Sequence, residues 1–144
     1  MRYFLLMIVA VVLVGQSVLA ADKKPLTKEE SAKVIEAAIR KKLKKPTGEL
    51  TKADLEKVTW LDLSNNQLTD VKGLEKLTQL TDLNLYDNQL TDVKGLEKLT
   101  QLEGLYLARN QLTEVPKGLE QLAQLTELGL SFNELTAENG KAQL

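Results

Sequence analysis

The sequence predicts an α/β repeat solenoid: a short arc with a parallel concave β-sheet, closed at its start by an N-terminal helical cap. Three observations predict it. Fifteen residues, NQLTDVKGLEKLTQL, stand at 66–80 and return unchanged at 88–102. Around them a hydrophobic frame recurs with a period of 22 through Val58, Leu80 and Leu102, then with a step of 23 to Leu125. Ahead of that frame, apolar residues follow a helical period instead. A fixed period of this length marks units that bury their apolar faces only against neighbours, coil upon coil.

The helical cap occupies residues 21–57. Thr27 and Glu30 have the spacing of a capping box, and Ala32, Ile35, Ile39 and Leu43 share one helical face until Pro46 and Gly48 end the pattern. Thr51 with Asp54 opens a second short helix that feeds Val58. The basic run Arg40 to Lys45 reads as the charged end of the first helix, complementing its dipole and staying solvated.

Residues 58–144 hold about four repeat units, the last incomplete. They open VTWLDLSNNQL, LTDLNLYDNQL, LEGLYLARNQL and LTELGLSFNEL. The pairs Leu61/Leu63, Leu83/Leu85, Leu105/Leu107 and Leu128/Leu130 alternate with other residues, as one face of a short strand does. Strands that each return by a long connection must pair in parallel. Asn66, Asn88, Asn110 and Asn133 stand where the chain leaves each strand. A side-chain amide both donates and accepts, so these four read as a structural ladder that satisfies the turn's backbone groups. Leu68, Val71, Leu74 and Leu77, with their counterparts in the next copy, predict turn-like or 3₁₀ geometry on the convex return, bent at Gly73, Gly95 and Gly118.

The frame L-x-x-L-x-L-x-x-N-x-L is that of the leucine-rich repeat. The run VIEAAIRKKLKKPTGELTKADLEKVTWLDLSNNQLTDVKGLEKL resembles the helical cap and first repeats of exported bacterial leucine-rich-repeat proteins of the internalin-like kind, and the resemblance covers residues 34–135. It implies that the cap seals the solenoid and that the strand face binds other macromolecules.

Residues 1–20 read as a cleaved secretory signal peptide: Met1-Arg2, an apolar run from Tyr3 to Val14, and small residues up to a cut after Ala20. That apolar run falls short of the ~20 residues that span a bilayer, so stable membrane insertion is not expected after cleavage. The expected destination is secreted or periplasmic. The chain contains no Cys and no His. Stability must then come from burial without disulfides, and the commonest general base, thiol nucleophile and zinc ligands are missing, so neither cofactor nor metal is expected. Residues 21–57 carry eleven Lys/Arg against seven Asp/Glu, whereas residues 58–144 carry seven against thirteen. An acidic repeat half excludes nucleic acid as the expected partner.

The outward strand positions line up as columns: Trp60, Asp82, Gly104, Glu127; Asp62, Asn84, Tyr106, Gly129; Ser64, Tyr86, Ala108, Ser131; and, at the strand exit, Asn65, Asp87, Arg109, Phe132. All four aromatics beyond the signal peptide lie here, and none in the repeat's core frame. A core filled by Leu has no packing need for them, and exposed rings commonly anchor partners. The expected partner-binding residues are Trp60, Asp62, Asp82, Asn84, Tyr86, Tyr106, Arg109 and Phe132. The expected function is non-catalytic recognition of a protein or peptide, basic in character because the face is acidic apart from Arg109. A glycan-binding module and a structural envelope protein with no concave ligand are the alternatives. Cross-strand pairing of Tyr86 with Tyr106 and an ion pair between Asp87 and Arg109 are the purely structural readings of those residues. Asp62 and Asp82 suggest a glycosidase pair, but a shallow sheet face offers neither the burial nor the cleft that such chemistry needs. At the far end, Ala137 to Leu144 would form one helical turn over the last coil; otherwise strand four is an edge through which a monomer could self-associate.

Overall fold

The computed structural model describes residues 24–136. The expected signal peptide and the helical turn at 137–144 lie outside them. Helix α1, Lys28–Leu43, starts at the expected capping box: the Thr27 hydroxyl accepts from the Glu30 N–H, and the Glu30 carboxylate accepts from the Thr27 N–H at 2.8 Å. It stops at Lys44, which turns left-handed at φ 52°. Its buried residues are Ser31, Ile35 and Ile39, with Ala32 and Leu43 only partly covered. The expected stripe holds at Ile35 and Ile39, with Leu43 packed at the edge of the core, but gains Ser31 in place of Ala32. The cause is polar: the Ser31 hydroxyl accepts from the Thr69 N–H at 3.2 Å, tying the helix to the first coil's turn.

Helix α2, Lys52–Leu55, has its own Thr51–Asp54 capping box. The Lys45 ammonium lies 2.7 Å from Asp54, closing the end of α1 onto α2. The Lys45 hydrogen bond, followed by those from Thr51, holds the Asp54 carboxyl well below the usual carboxylate range. Lys41, Lys42 and Lys44 of the basic run stay exposed as expected, while Arg40 and Lys45 are partly covered. Arg40 likewise pairs with Glu36 at 2.8 Å and donates to the Gly48 carbonyl at 3.0 Å, so its guanidinium braces the chain's exit from the helix.

Strands β1 (Trp60–Asp62), β2 (Asp82–Asn84), β3 (Gly104–Tyr106) and β4 (Glu127–Gly129) pair in parallel in sequence order. The register places Leu61, Leu83, Leu105 and Leu128 side by side, beneath the columns of outward residues. One continuous core runs from Ile35 and Ile39 of α1 through the stacked leucines to Leu119 and Leu122. At ~25 cal/mol per Å² of apolar surface, this stacking is the main stabilising term, and no coil possesses it alone.

The convex returns form 3₁₀ turns at Leu74–Lys76, Leu96–Lys98 and Leu119–Gln121. Each follows a glycine at positive φ: 105° at Gly73, 104° at Gly95 and 89° at Gly118. Each glycine N–H donates to the Glu two residues on, at 2.6 Å to Glu75, 2.6 Å to Glu97 and 2.9 Å to Glu120. Asp70 and Asp92 make the same bond to the N–H of Lys72 and Lys94, at 2.6 and 3.0 Å. The duplicated fifteen residues therefore carry a set of local turn bonds, of which the glycine–glutamate bond recurs in the third return as well. Among the described residues the covering falls off at the fourth coil. Leu128 is 41% exposed and Leu125 and Leu130 are only partly buried, whereas Leu83 and Leu105 are fully covered.

Candidate strand-face site

The site rests on the asparagine ladder that fixes the sheet's exit. The Asn88 amide nitrogen donates to the carbonyls of Leu63 (2.9 Å) and Leu85 (3.0 Å), and its oxygen accepts from the N–H groups of Asn66 (3.1 Å) and Leu68 (3.0 Å). Asn110 donates to Leu85 and Leu107, both at 3.0 Å, and accepts from Leu90 at 3.0 Å. Asn133 donates to Leu107 and Leu130, both at 2.9 Å, and accepts from Leu112 at 3.0 Å. Asn66 differs. Its amide donates only to Ser64 within its own turn, at 2.8 Å, because the helix, not a strand, precedes β1.

On the strand face the eight expected residues do not form one cluster. Trp60, 47% exposed, lies beneath Lys42, whose ammonium sits 4.3 Å from the ring centroid. A residue of the basic run thus reaches over the sheet, a cation–π contact that sequence reasoning missed. Asp62 and Asn84 turn back on the chain, accepting from the N–H of Ser64 (2.9 Å) and of Tyr86 (3.0 Å), and so fix the strand exits.

Tyr106, third in that column, instead reaches sideways to β4, where its hydroxyl donates to Glu127 at 2.5 Å. Gly104 makes room. A Cβ there would stand 2.9 Å from an Asp82 oxygen and 3.2 Å from the Tyr106 hydroxyl, so the missing side chain lets Asp82, Tyr106 and Glu127 converge. Glu127 was not among the expected anchors, although its place beside Gly104 in the column carried the signal. The Glu127 hydrogen bond, then burial, then the charges of Glu127 and Asp82 push the Tyr106 phenol above its ordinary value near 10. The neutral phenol is the favoured form in the fold. Its contribution is present below the ordinary value and is lost as pH rises through the raised one. Glu127→Gln is expected to bring the Tyr106 titration down toward about 10, read by phenolate absorbance with Tyr106→Phe as the assignment control; an unmoved midpoint would refute the Glu127 assignment.

The third group stacks across coils at the strand exit. The Arg109 guanidinium lies between two rings, 5.9 Å from the Tyr86 centroid and 5.3 Å from that of Phe132, which is 76% exposed. The alternative ion pair with Asp87 does not form. Asn65, Asp87, Arg109 and Phe132 all adopt left-handed backbone, with φ of 59°, 54°, 56° and 57°. Asn and Asp tolerate that conformation, so the first two residues of this column announced it, whereas Arg and Phe did not. The Tyr86–Tyr106 pairing gives way to these two separate arrangements, Tyr86 toward Arg109 and Tyr106 toward Glu127.

One hollow lies elsewhere. It is a groove of about 610 Å³ where α1 and α2 meet the first convex turn, floored by Ile35, Ile39, Leu50 and Leu55. It is the seam between cap and first coil, and none of the strand-face residues line it. Among the described residues no group of acidic side chains is arranged to hold a metal ion, and no helix is long and apolar enough to cross a membrane.

Two family models match the chain, "Leucine Rich repeats (2 copies)" over residues 56–98 and "Leucine rich repeat" over residues 91–135. None of the curated proteins compared matches it. Among solved structures, an internalin (inlF) from Listeria monocytogenes is 32% identical with a TM-score of 0.67, the match covering 72% of this chain and 31% of that one. Internalin C2 from the same organism is 30% identical with a TM-score of 0.67, covering 72% of this chain and 46% of that one. A leucine-rich-repeat protein of Leptospira interrogans is 38% identical with a TM-score of 0.53, over 57% of this chain and 21% of its own. The chain thus spans less than half the length of each of these proteins. Four stacked coils with their asparagine ladder, the two repeat models and the internalin likenesses agree: the chain belongs to the leucine-rich-repeat family and is similar to the bacterial internalins.

Proposed function

We propose that this protein is a non-catalytic, exported recognition module that takes a protein or peptide on its strand face. One observation carries the reading. Trp60, Tyr86, Tyr106 and Phe132 stand exposed on or beside the sheet, above a core that the stacked leucines already fill. Such rings contribute nothing to that core, while large rigid aromatics at low entropic cost are what interfaces concentrate. Asp62, Asp82 and Glu127 give the face an acidic character, which supports a partner with basic residues. Export is supported by the apolar leader and by the internalin likeness. The open sheet supports binding over catalysis, since its carboxylates lie outside any enclosing cleft.

The experiment is capture from the producing cell's envelope and medium by the processed protein and by its Trp60→Ala/Tyr86→Ala/Tyr106→Ala variant. Loss of capture in the variant is expected. Retained capture would remove the strand face as the site, and quenching of Trp60 fluorescence by sugars but not by captured protein would favour a glycan instead.

A further inference from the structure

Lys42 lies in the last turn of α1, and its ammonium rests 4.3 Å from the centroid of the exposed Trp60 ring. That ring is all that holds it. Among the described residues its side chain makes no ion pair or hydrogen bond, whereas Arg40 is fixed 2.8 Å from Glu36 and Lys45 2.7 Å from Asp54. An exposed cation on one ring is favoured over its solvated arrangement only about two- to fivefold. The surroundings of the ring offer a cation more than Lys42 takes. Trp60 is in register with Asp82 on the adjacent strand, ~4.8 Å away by strand spacing, and Asp62 follows two residues on along the same face of β1. Asp62 accepts the Ser64 N–H at 2.9 Å and Asp82 the Thr81 hydroxyl at 2.8 Å, so each carboxylate is held in place. The other oxygen of each has no donor, and neither carboxylate pairs with a cation, among the described residues.

We infer that Trp60, Asp62 and Asp82 form the subsite for a Lys or Arg side chain of the partner, and that Lys42 is an internal competitor that leaves the ring when the partner binds. A ring attracts a cation through its quadrupole, and oriented carboxylates accept the cation's N–H groups. Lys42 takes the first interaction and leaves the second for the partner. While it rests on the ring it lowers the apparent affinity for an incoming cation by the fraction of molecules whose ring is covered. An ammonium that meets the ring alone therefore gains nothing over Lys42, and a side chain that also reaches the carboxylates displaces it. The inference rests on the strand-face reading and names the ligand chemistry of that site's first column.

The test follows the emission of Trp60, the single Trp of the chain, as a short lysine-containing peptide with blocked ends is added, and compares a peptide with glutamine at the lysines. The lysine peptide is expected to change the emission saturably, and the glutamine peptide is not. Lys42→Gln, which keeps much of the stem and removes the charge, should bind the lysine peptide roughly two- to fivefold more tightly, while Lys42→Arg, which keeps a cation over the ring, should bind it like the parent. Asp82→Asn should weaken binding by up to about fivefold in the parent and in Lys42→Gln alike. Unchanged or weaker binding by Lys42→Gln, or emission that the lysine peptide moves in neither protein, would overturn this inference. The strand-face reading would survive either result if capture of the partner is still lost in the triple aromatic variant. Capture that persists in that variant would overturn both.

Discussion

Asn88→Ala is expected to destabilise the protein by about 3–5 kcal/mol, because one truncation strips partners from buried backbone groups in two coils. The carbonyl of Leu63 and the N–H groups of Asn66 and Leu68 lose their bonds to this side chain; Leu85 keeps a second donor in Asn110. Each orphaned buried group costs about 1–3 kcal/mol, and a whole domain commands only about 5–15. Asn66→Ala should cost far less, about 1 kcal/mol, since it removes a single bond within one turn. Urea unfolding of the two variants checks the contrast. Equal losses would mean that the ladder does not carry the coils' polar accounting.

Leu105→Ala is expected to cost about 2–5 kcal/mol, and Leu128→Ala about 1 kcal/mol or less. The two residues are register partners in adjacent strands and hold the same place in the repeat frame. Only their position in the stack differs: Leu105 is fully covered by coils on either side, and Leu128 stands 41% exposed at the end. Truncating the first leaves a cavity lined by leucines, whereas the second already faces water. Denaturation midpoints of both variants provide the measurement. A loss at Leu128 equal to that at Leu105 would show that something further covers the last coil.

How much of the fold was legible in the sequence depended on range. Bonds that close within a coil were readable: the Thr27–Glu30 and Thr51–Asp54 boxes, the bends at Gly73, Gly95 and Gly118, and the parallel sheet that a 22-residue return enforces. On α1 the stripe was legible at Ile35, Ile39 and Leu43 but not at Ser31. Ser31 looks like a surface residue until Thr69, thirty-eight positions away, is seen to use it. Asn66 obeyed the frame in sequence but not in bonding, because a frame cannot state that its neighbour is a helix.

The site divides the same way. The columns and their aromatics were legible, since a period of 22 fixes which residues stand side by side. How those side chains spend themselves was not. Lys42 reaches Trp60 only through the angle at which α1 docks on β1. Tyr106 leaves its column for Glu127 because Gly104 opens the way, and Arg109 prefers two rings to Asp87. These are choices among several available partners, decided by local space and not by periodicity.

The most direct measurement joins unfolding and capture in one variant. Trp60→Ala/Tyr86→Ala/Tyr106→Ala should unfold at a urea midpoint close to that of the parent, since the rings lie outside the leucine core, while capture of the partner is lost. A midpoint that falls with capture would contradict the account, because the aromatics would then belong to the fold and not to its recognition face.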